Sequence, residues 1–333
     1  MEPTWPINHV SRLAKLSDSL GFSNVWVPDG GPSPPYSDSV VTLAAVASNT
    51  NRIKFGSAIL NFYTRNPAWI ASSFLALSDL GSHGLKSAPQ RAVLGIGVGS
   101  PYNVGMAGIK SRSGMIGDLR EAVESIRELF QGKQVTVITD SFAIEGVKLS
   151  KATTPIPVYV GSGSPKGLRL AGEISDGVIL TDRITSEIEE SMKHVLLGAS
   201  YASRSRKEIQ VIDSVVVSLD ENREKARRAA RKTCAYLVAW IGEETAKSYD
   251  LDLDLKRKIA GFIDLGDEQS AAKFVDDKML DLLTISGNVE DCVTKCEEHL
   301  LQDVDQIAFC EPFGPNVERA IRTIAKKVVP RFR

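Results

Sequence analysis

The residues best equipped for chemistry in this 333-residue chain sit where apolar runs end in glycine, serine or acid. In "RAVLGIGVGS", Gly95, Gly97 and Gly99 fall at every second position, and the run closes on Ser100. The spacing is not G-x-G-x-x-G, so it makes no dinucleotide fingerprint. Alternating glycines instead strip one face of a strand, so that a flat ligand or another backbone can approach closely; a tight strand end is the plainer alternative. "VYVGSGSPKGLRLAGEIS" is the better phosphate candidate, because its glycine-serine turn runs directly into a helix with Pro165 near the first turn. Backbone N–H groups from Gly163 to Gly167, the hydroxyls of Ser162 and Ser164, and Lys166 would face an anion there. An ordinary strand-to-helix turn with a serine N-cap is the other reading. Cys292 and Cys296, one helical turn apart in "VEDCVTKCEEHLL", could seat a metal if His299 joined them. Two small residues on an ordinary helix face is the preferred reading, and no metal is assigned.

These groups need a scaffold, and the periodicity supplies one. Strands are predicted at "NVWVPD", "IKFGSAIL", "AVLGIGVGS", "IPVYVGSG", "GVILTD", "IQVIDSVVVSL" and "QIAFCEP". Helical patterns lie between them, and a longer helical region runs from Glu221 to about His299. Strict alternation of helices with strands that are apolar throughout means a parallel sheet covered by helices. We read residues 1–333 as a single (β/α)8 TIM barrel domain, with a helical insertion around 249–283. The count of strands stops one short of eight, so the reading includes an expectation that the opening strand is missing and that the natural product begins upstream of Met1. In such a barrel, reactive groups belong at the carboxyl ends of strands.

Composition narrows the partners. Lysine plus arginine number 40 against 41 aspartate plus glutamate, which gives no basic surface for a nucleic acid and no field for an anionic membrane. No apolar run reaches the roughly 18 residues of a membrane span, and "MEPTWPINHV" lacks the basic and apolar regions of a signal peptide. The expected setting is cytoplasmic and the expected partner a small molecule.

The ordered set "LAKLSDSLGFSNVWVPD", "IKFGSAILNFYTRNPAWIASS", "VLGIGVGS" with "MAGI", "IPVYVGSGSPKGLRLAGEISDGVIL" and "EPFGPNVERAI" resembles the bacterial luciferase-like superfamily. Within it, the resemblance favours the coenzyme F420-dependent methylenetetrahydromethanopterin reductases. It implies a deazaflavin ring in the barrel mouth, backed by a bulge with a non-prolyl cis peptide between Ala58 and Ile59. It further implies cofactor contacts from Ser57, Asn61 and Thr181, with Thr64 also lining the site. Gly97, Val98, Gly99 and Ser100 would approach the ring from the neighbouring strand, and Gly161, Ser162, Gly163 and Ser164 would cross the phosphate-bearing tail. A homodimer or larger homo-oligomer is implied as well.

The implied reaction is hydride transfer between reduced F420 and the methylene carbon of a pterin, with a positioned acid serving the amine. Chemistry of this kind belongs mostly to the cofactor. The sequence departs from the family pattern at three places: Asp29-Gly30 stands where members usually have Asp-His, Ser100 stands where reductases often have an acid, and the opening strand with its glutamate is absent. Asp29 is the remaining acid of choice, against the alternative of a structural carboxylate capping a loop. Glu311, at the end of the last strand, is the second. FMN in place of F420, as in a luciferase-like monooxygenase, another deazaflavin substrate, or a non-catalytic flavin-binding barrel are the competing readings.

Overall fold

Helix and strand alternate along the first part of the chain as the apolar periodicity requires. The structure, a computed structural model, describes residues 4–30, 37–85, 87–99, 104–105, 108–110, 114–152, 154–181 and 184–332. Two compact units are formed: Met1–Leu180 with Ser191–Val211, and Thr181–Glu190 with Ile212–Arg333.

The first unit begins with α1 (Ile7–Ser19), β1 (Asn24–Val27), α2 (Ser39–Asn49), β2 (Lys54–Ser57), the short β3 (Leu60–Asn61), α3 (Pro67–Ser82) and β4 (Ala92–Gly97). It continues through α4 (Met115–Phe130), β5 (Gln134–Ile138), β6 (Ala143–Lys148), β7 (Val158–Gly161), α5 (Pro165–Ile174) and β8 (Gly177–Thr181); α6 (Thr185–Tyr201) follows. Strands β1, β2, β4, β7 and β8 lie side by side and parallel, with Val25 opposite Phe55, Phe55 opposite Ala92, and Gly97 opposite Gly161. Every residue of β4 is buried, as a central parallel strand covered on both faces must be.

Polar side chains inside this unit tie elements together. The buried Asp18 carboxylate accepts from the N–H groups of Asn51 (2.8 Å) and Ile53 (2.9 Å), which fixes the turn into β2. Arg91, 3% exposed, donates to Gly81 O, Ile53 O, Ala47 O and Thr50 Oγ1 at 2.9–3.1 Å, and so joins α2, α3 and β2. Saturating a buried guanidinium in this way offsets its desolvation.

In the second unit, β9 (Gln210–Leu219), which begins in the first, has β10 (Thr284–Gly287) and β11 (Gln306–Phe313) parallel to it. Its helices are α7 (Arg223–Trp240), α8 (Glu243–Ser248), α9 (Leu253–Asp264), α10 (Glu268–Ala272), α11 (Asp277–Leu283), α12 (Val289–Leu300) and α13 (Val317–Thr323). Ala230, Cys234, Val238, Ile259, Met279 and Leu280 meet in a core between α7 and the helices of the expected insertion.

All seven expected strands are present, with three corrections. The run "IKFGSAIL" breaks at Ala58-Ile59 into β2 and β3. Strand β4 stops at Gly97, short of Ser100. The region from Glu221 to His299 is not one helical stretch: Gly242, Asp252, Asp267 and Asp276 each stand at an N-cap and divide it, and the buried "TISG" is strand β10. The antiparallel β5–β6 hairpin also interrupts the strict alternation. Among the described residues, no helix is long and apolar enough to cross a membrane.

Candidate active site

The break after β2 is the centre of the first unit's candidate site. The Ala58-Ile59 peptide is cis, at the position expected. On one side of it, fully buried Ser57 donates to Gly95 O (2.7 Å) and accepts from Gly95 N–H (3.0 Å). Its hydroxyl therefore stitches β2 to β4.

On the other side, the Ile59 side chain lies over the glycines of two strands. A Cβ on Gly161 would stand 2.5 Å from Ile59 Cγ2, and one on Gly97 would stand 3.1 Å from Ile59 Cδ1 and 2.6 Å from Gly161 O. Gly95 has the same constraint against backbone, because its Cβ would be 2.0 Å from Ser57 O. The glycine alternation is thus explained by close approach of a neighbouring backbone and of Ile59. The Ile59 side chain packs on the face that Gly97 leaves open. Gly99 turns the chain out of the strand with φ 72°, a conformation that favours glycine, and its missing side chain leaves room for Val104. Val98 is half-buried, and Ser100 lies outside the described residues.

Asn61, paired with Gly97 in register, is buried, and its side-chain oxygen accepts from Tyr63 N–H (3.2 Å), Thr64 N–H (2.9 Å) and the Thr64 hydroxyl (3.0 Å). Asn61 and Thr64 therefore lock a turn. Two residues beyond, Asn66 caps α3 through Ala68 N–H at 2.9 Å, with Pro67 at the first helical position.

Asp29 lies two residues past β1 and is half-buried. Burial pushes its carboxyl above the ordinary range; the Arg65 charge and a hydrogen bond from the Ser39 hydroxyl (3.3 Å) oppose this, while the Asp38 charge reinforces it. Asp38 caps α2 by accepting from Val41 N–H (2.9 Å) and pairs with Arg65. Burial alone would raise Asp38 too, but the Val41 N–H and Arg65 hold it below the ordinary carboxylate range. Ser39, Asp38 and Arg65 were not singled out from the sequence. The "SDS" before an apolar helix was the readable signal for Asp38 as a cap; nothing in "YTRNP" announces the reach of Arg65.

The proposed anion turn follows β7. Ser164 is the N-cap of α5: its hydroxyl oxygen accepts from Gly167 N–H (3.2 Å), and its own N–H donates to Ser162 Oγ (3.2 Å). The serine-capped turn is thus observed, with Gly163, Ser164 and Lys166 exposed around it.

Thr181 and Glu311 belong to the second unit. Thr181 is exposed at the end of β8, and Glu311 is half-buried in β11, joined to Pro312 by a cis peptide. Cys292 and Cys296 are buried on α12. A hydrogen bond with Cys292, then burial, pushes the Cys296 thiol up. His299 faces Asp213 through Nδ1 (2.5 Å) and Thr185 through Nε2 (3.1 Å), so both ring nitrogens have partners other than these thiols.

The luciferase-like monooxygenase family model matches residues 2–303. The chain belongs to that family. Luciferase-like relatives with full-length similarity include a 5,10-methylenetetrahydromethanopterin reductase of Methanolobus tindarius, 34% identical over 98% of this chain and 97% of its own length. A second, from Archaeoglobus fulgidus, is 30% identical over 99% and 98%. Among solved luciferase-like structures, the coenzyme F420 dependent tetrahydromethanopterin reductase of Methanopyrus kandleri superposes with a TM-score of 0.91 at 26% identity, covering 99% of this chain and 97% of that one. The α/β fold is that of the luciferase-like proteins.

Proposed function

We propose that this luciferase-like protein is a coenzyme F420-dependent methylenetetrahydromethanopterin reductase, an oxidoreductase of one-carbon pterin metabolism. The observation that carries the reading is the end-to-end 34% identity to a reductase of that name. The site residues fit the group. A glycine-serine turn opens a helix N-terminus suited to an anionic tail, and an apolar wall formed by Ile59 stands over Gly97 and Gly161.

When bound, reduced F420 supplies the hydride that passes to the methylene carbon of the pterin. Ile59 would back the ring, held in place by the Ser57–Gly95 stitch on one side and the Asn61 turn on the other. Ser162, Gly163, Ser164 and Lys166 would hold the phosphate-bearing tail. Holding two reactants face to face and excluding water contributes through proximity, on the order of several kcal/mol. Asp29, whose burial favours the protonated carboxyl, is the assigned proton donor to the pterin amine, and Glu311 is the second acid of the reading. A homo-oligomer working in the cytoplasm belongs to the same proposal.

Separate titrations of the purified protein with F420 and with FMN, followed by absorbance, test this reading. Saturable binding of F420, together with oxidation of reduced F420 on adding the methylene-pterin, is expected. Binding of FMN alone would favour a monooxygenase, and binding of neither a non-catalytic barrel.

A further inference from the structure

Four polar residues converge beyond the end of β1, and the hydride-transfer reading uses only one of them. The first two residues at the start of α2 point to different partners. Asp38 caps the helix with one oxygen, which accepts from Val41 N–H at 2.9 Å, and turns the other to Arg65. Ser39 donates its hydroxyl to Asp29 at 3.3 Å. Arg65 lies in the chain between the turn locked by Asn61 and the N-cap of α3 at Asn66. Both halves of the ion pair thus stand on capped, hydrogen-bonded backbone, and both act electrostatically on Asp29.

We infer that the Arg65–Asp38 ion pair governs Asp29: Arg65 is a positioning residue bonded to Asp38 and acting on Asp29 through its charge, and its bond to Asp38 decides how much positive charge Asp29 feels. The inference rests on the assignment of Asp29 as the acid of the proposed reaction. With the pair intact, the Arg65 charge outweighs that of Asp38 at Asp29 and acts with the Ser39 hydrogen bond against burial, which still prevails and holds the proton. Without Arg65, an uncompensated Asp38 repels the Asp29 carboxylate and the proton is held more tightly. Without the Asp38 charge, Arg65 is released towards Asp29 and the proton is held less tightly. The pair is partly exposed, with side-chain exposures of 31% and 42%, so water reduces these effects without cancelling them.

The opposite signs make the test. The infrared band of protonated Asp29, identified by its loss in Asp29→Asn, is followed against pH in the full chain with no cofactor added. Arg65→Gln is expected to raise the midpoint and Asp38→Asn to lower it, each by roughly half a pH unit. The double variant should lie between the parent and Arg65→Gln, and Arg65→Lys should restore most of the parent behaviour. Asparagine keeps the N-cap at position 38, so the fold is retained in that variant. A purely structural role would move both single variants the same way through loss of order; that result, or no movement in either, overturns the inference. Reductase assays on the same variants separate it from the functional proposal. Turnover whose pH limb follows the infrared midpoint supports both. A protein with no reductase activity but with the opposed midpoints retains the electrostatic coupling and loses the reaction. An active reductase with unmoved midpoints keeps the reaction and loses the coupling.

Discussion

Ile59 shows how one side chain explains two glycines on neighbouring strands. Its methyl groups occupy the space that Cβ atoms on Gly97 and Gly161 would need, at 3.1 and 2.5 Å. Gly161→Ala should therefore overpack this spot and destabilise the fold by about 1–3 kcal/mol, measured by urea unfolding. Adding Ile59→Ala should recover part of that loss, because the methyl group then fills the vacated space. A double-mutant cycle should give a coupling of about 1 kcal/mol or more, while additive losses would mean that Ile59 is not what excludes the Cβ. At this scale the sequence was half legible. Alternating glycines announced a close approach, and the resemblance placed the bulge at Ala58-Ile59. The occupant was hidden, because a neighbouring strand contributes it and no local pattern encodes which side chain crosses to which glycine. Ser57 was hidden for the same reason: its role is set by Gly95, 38 positions away.

At the scale of elements, the turn from β7 into α5 is where local signals were strongest. Serine, proline and glycine at fixed offsets predict a capped helix start, and the structure has Ser164 as that cap. Gly163→Asp should place a carboxylate and its bulk beside the proposed phosphate-bearing tail. F420 affinity should fall at least tenfold, read by absorbance titration, while circular dichroism and the unfolding midpoint stay close to the parent. Unchanged affinity in a folded variant would remove the phosphate assignment. The long helical region was less legible, since its composition reads as helix from Glu221 to His299. Its breaks come from Asp and Gly caps, and β10 is a four-residue buried strand whose apolar content is indistinguishable from helix by period alone. The β5–β6 hairpin was missed because half-exposed strands such as "QVTVI" carry no signal of where they pair.

For the whole molecule, the near balance of 40 basic and 41 acidic residues has a consequence for ligand capture. A net charge of −1 gives no long-range field to draw in an anionic cofactor, so affinity for its tail must come from the local turn and the helix N-terminus. Binding should accordingly be only weakly salt-dependent, because contacts at short range are screened less than steering over a Debye length of about 10 Å at 0.1 M salt. The same affinity should appear as stability. F420 at one hundred times its Kd should raise the unfolding free energy by about 2.7 kcal/mol through mass action, and FMN at equal concentration should not. Hydrogen exchange locates the effect: slowed exchange is expected at 57–61 and 161–167, where the wall and the turn are built from backbone, with the α9–α11 core unchanged in its own rates. Stabilisation by F420 with protection confined to other segments would mean that the cofactor binds this luciferase-like chain elsewhere than at the Ile59 wall.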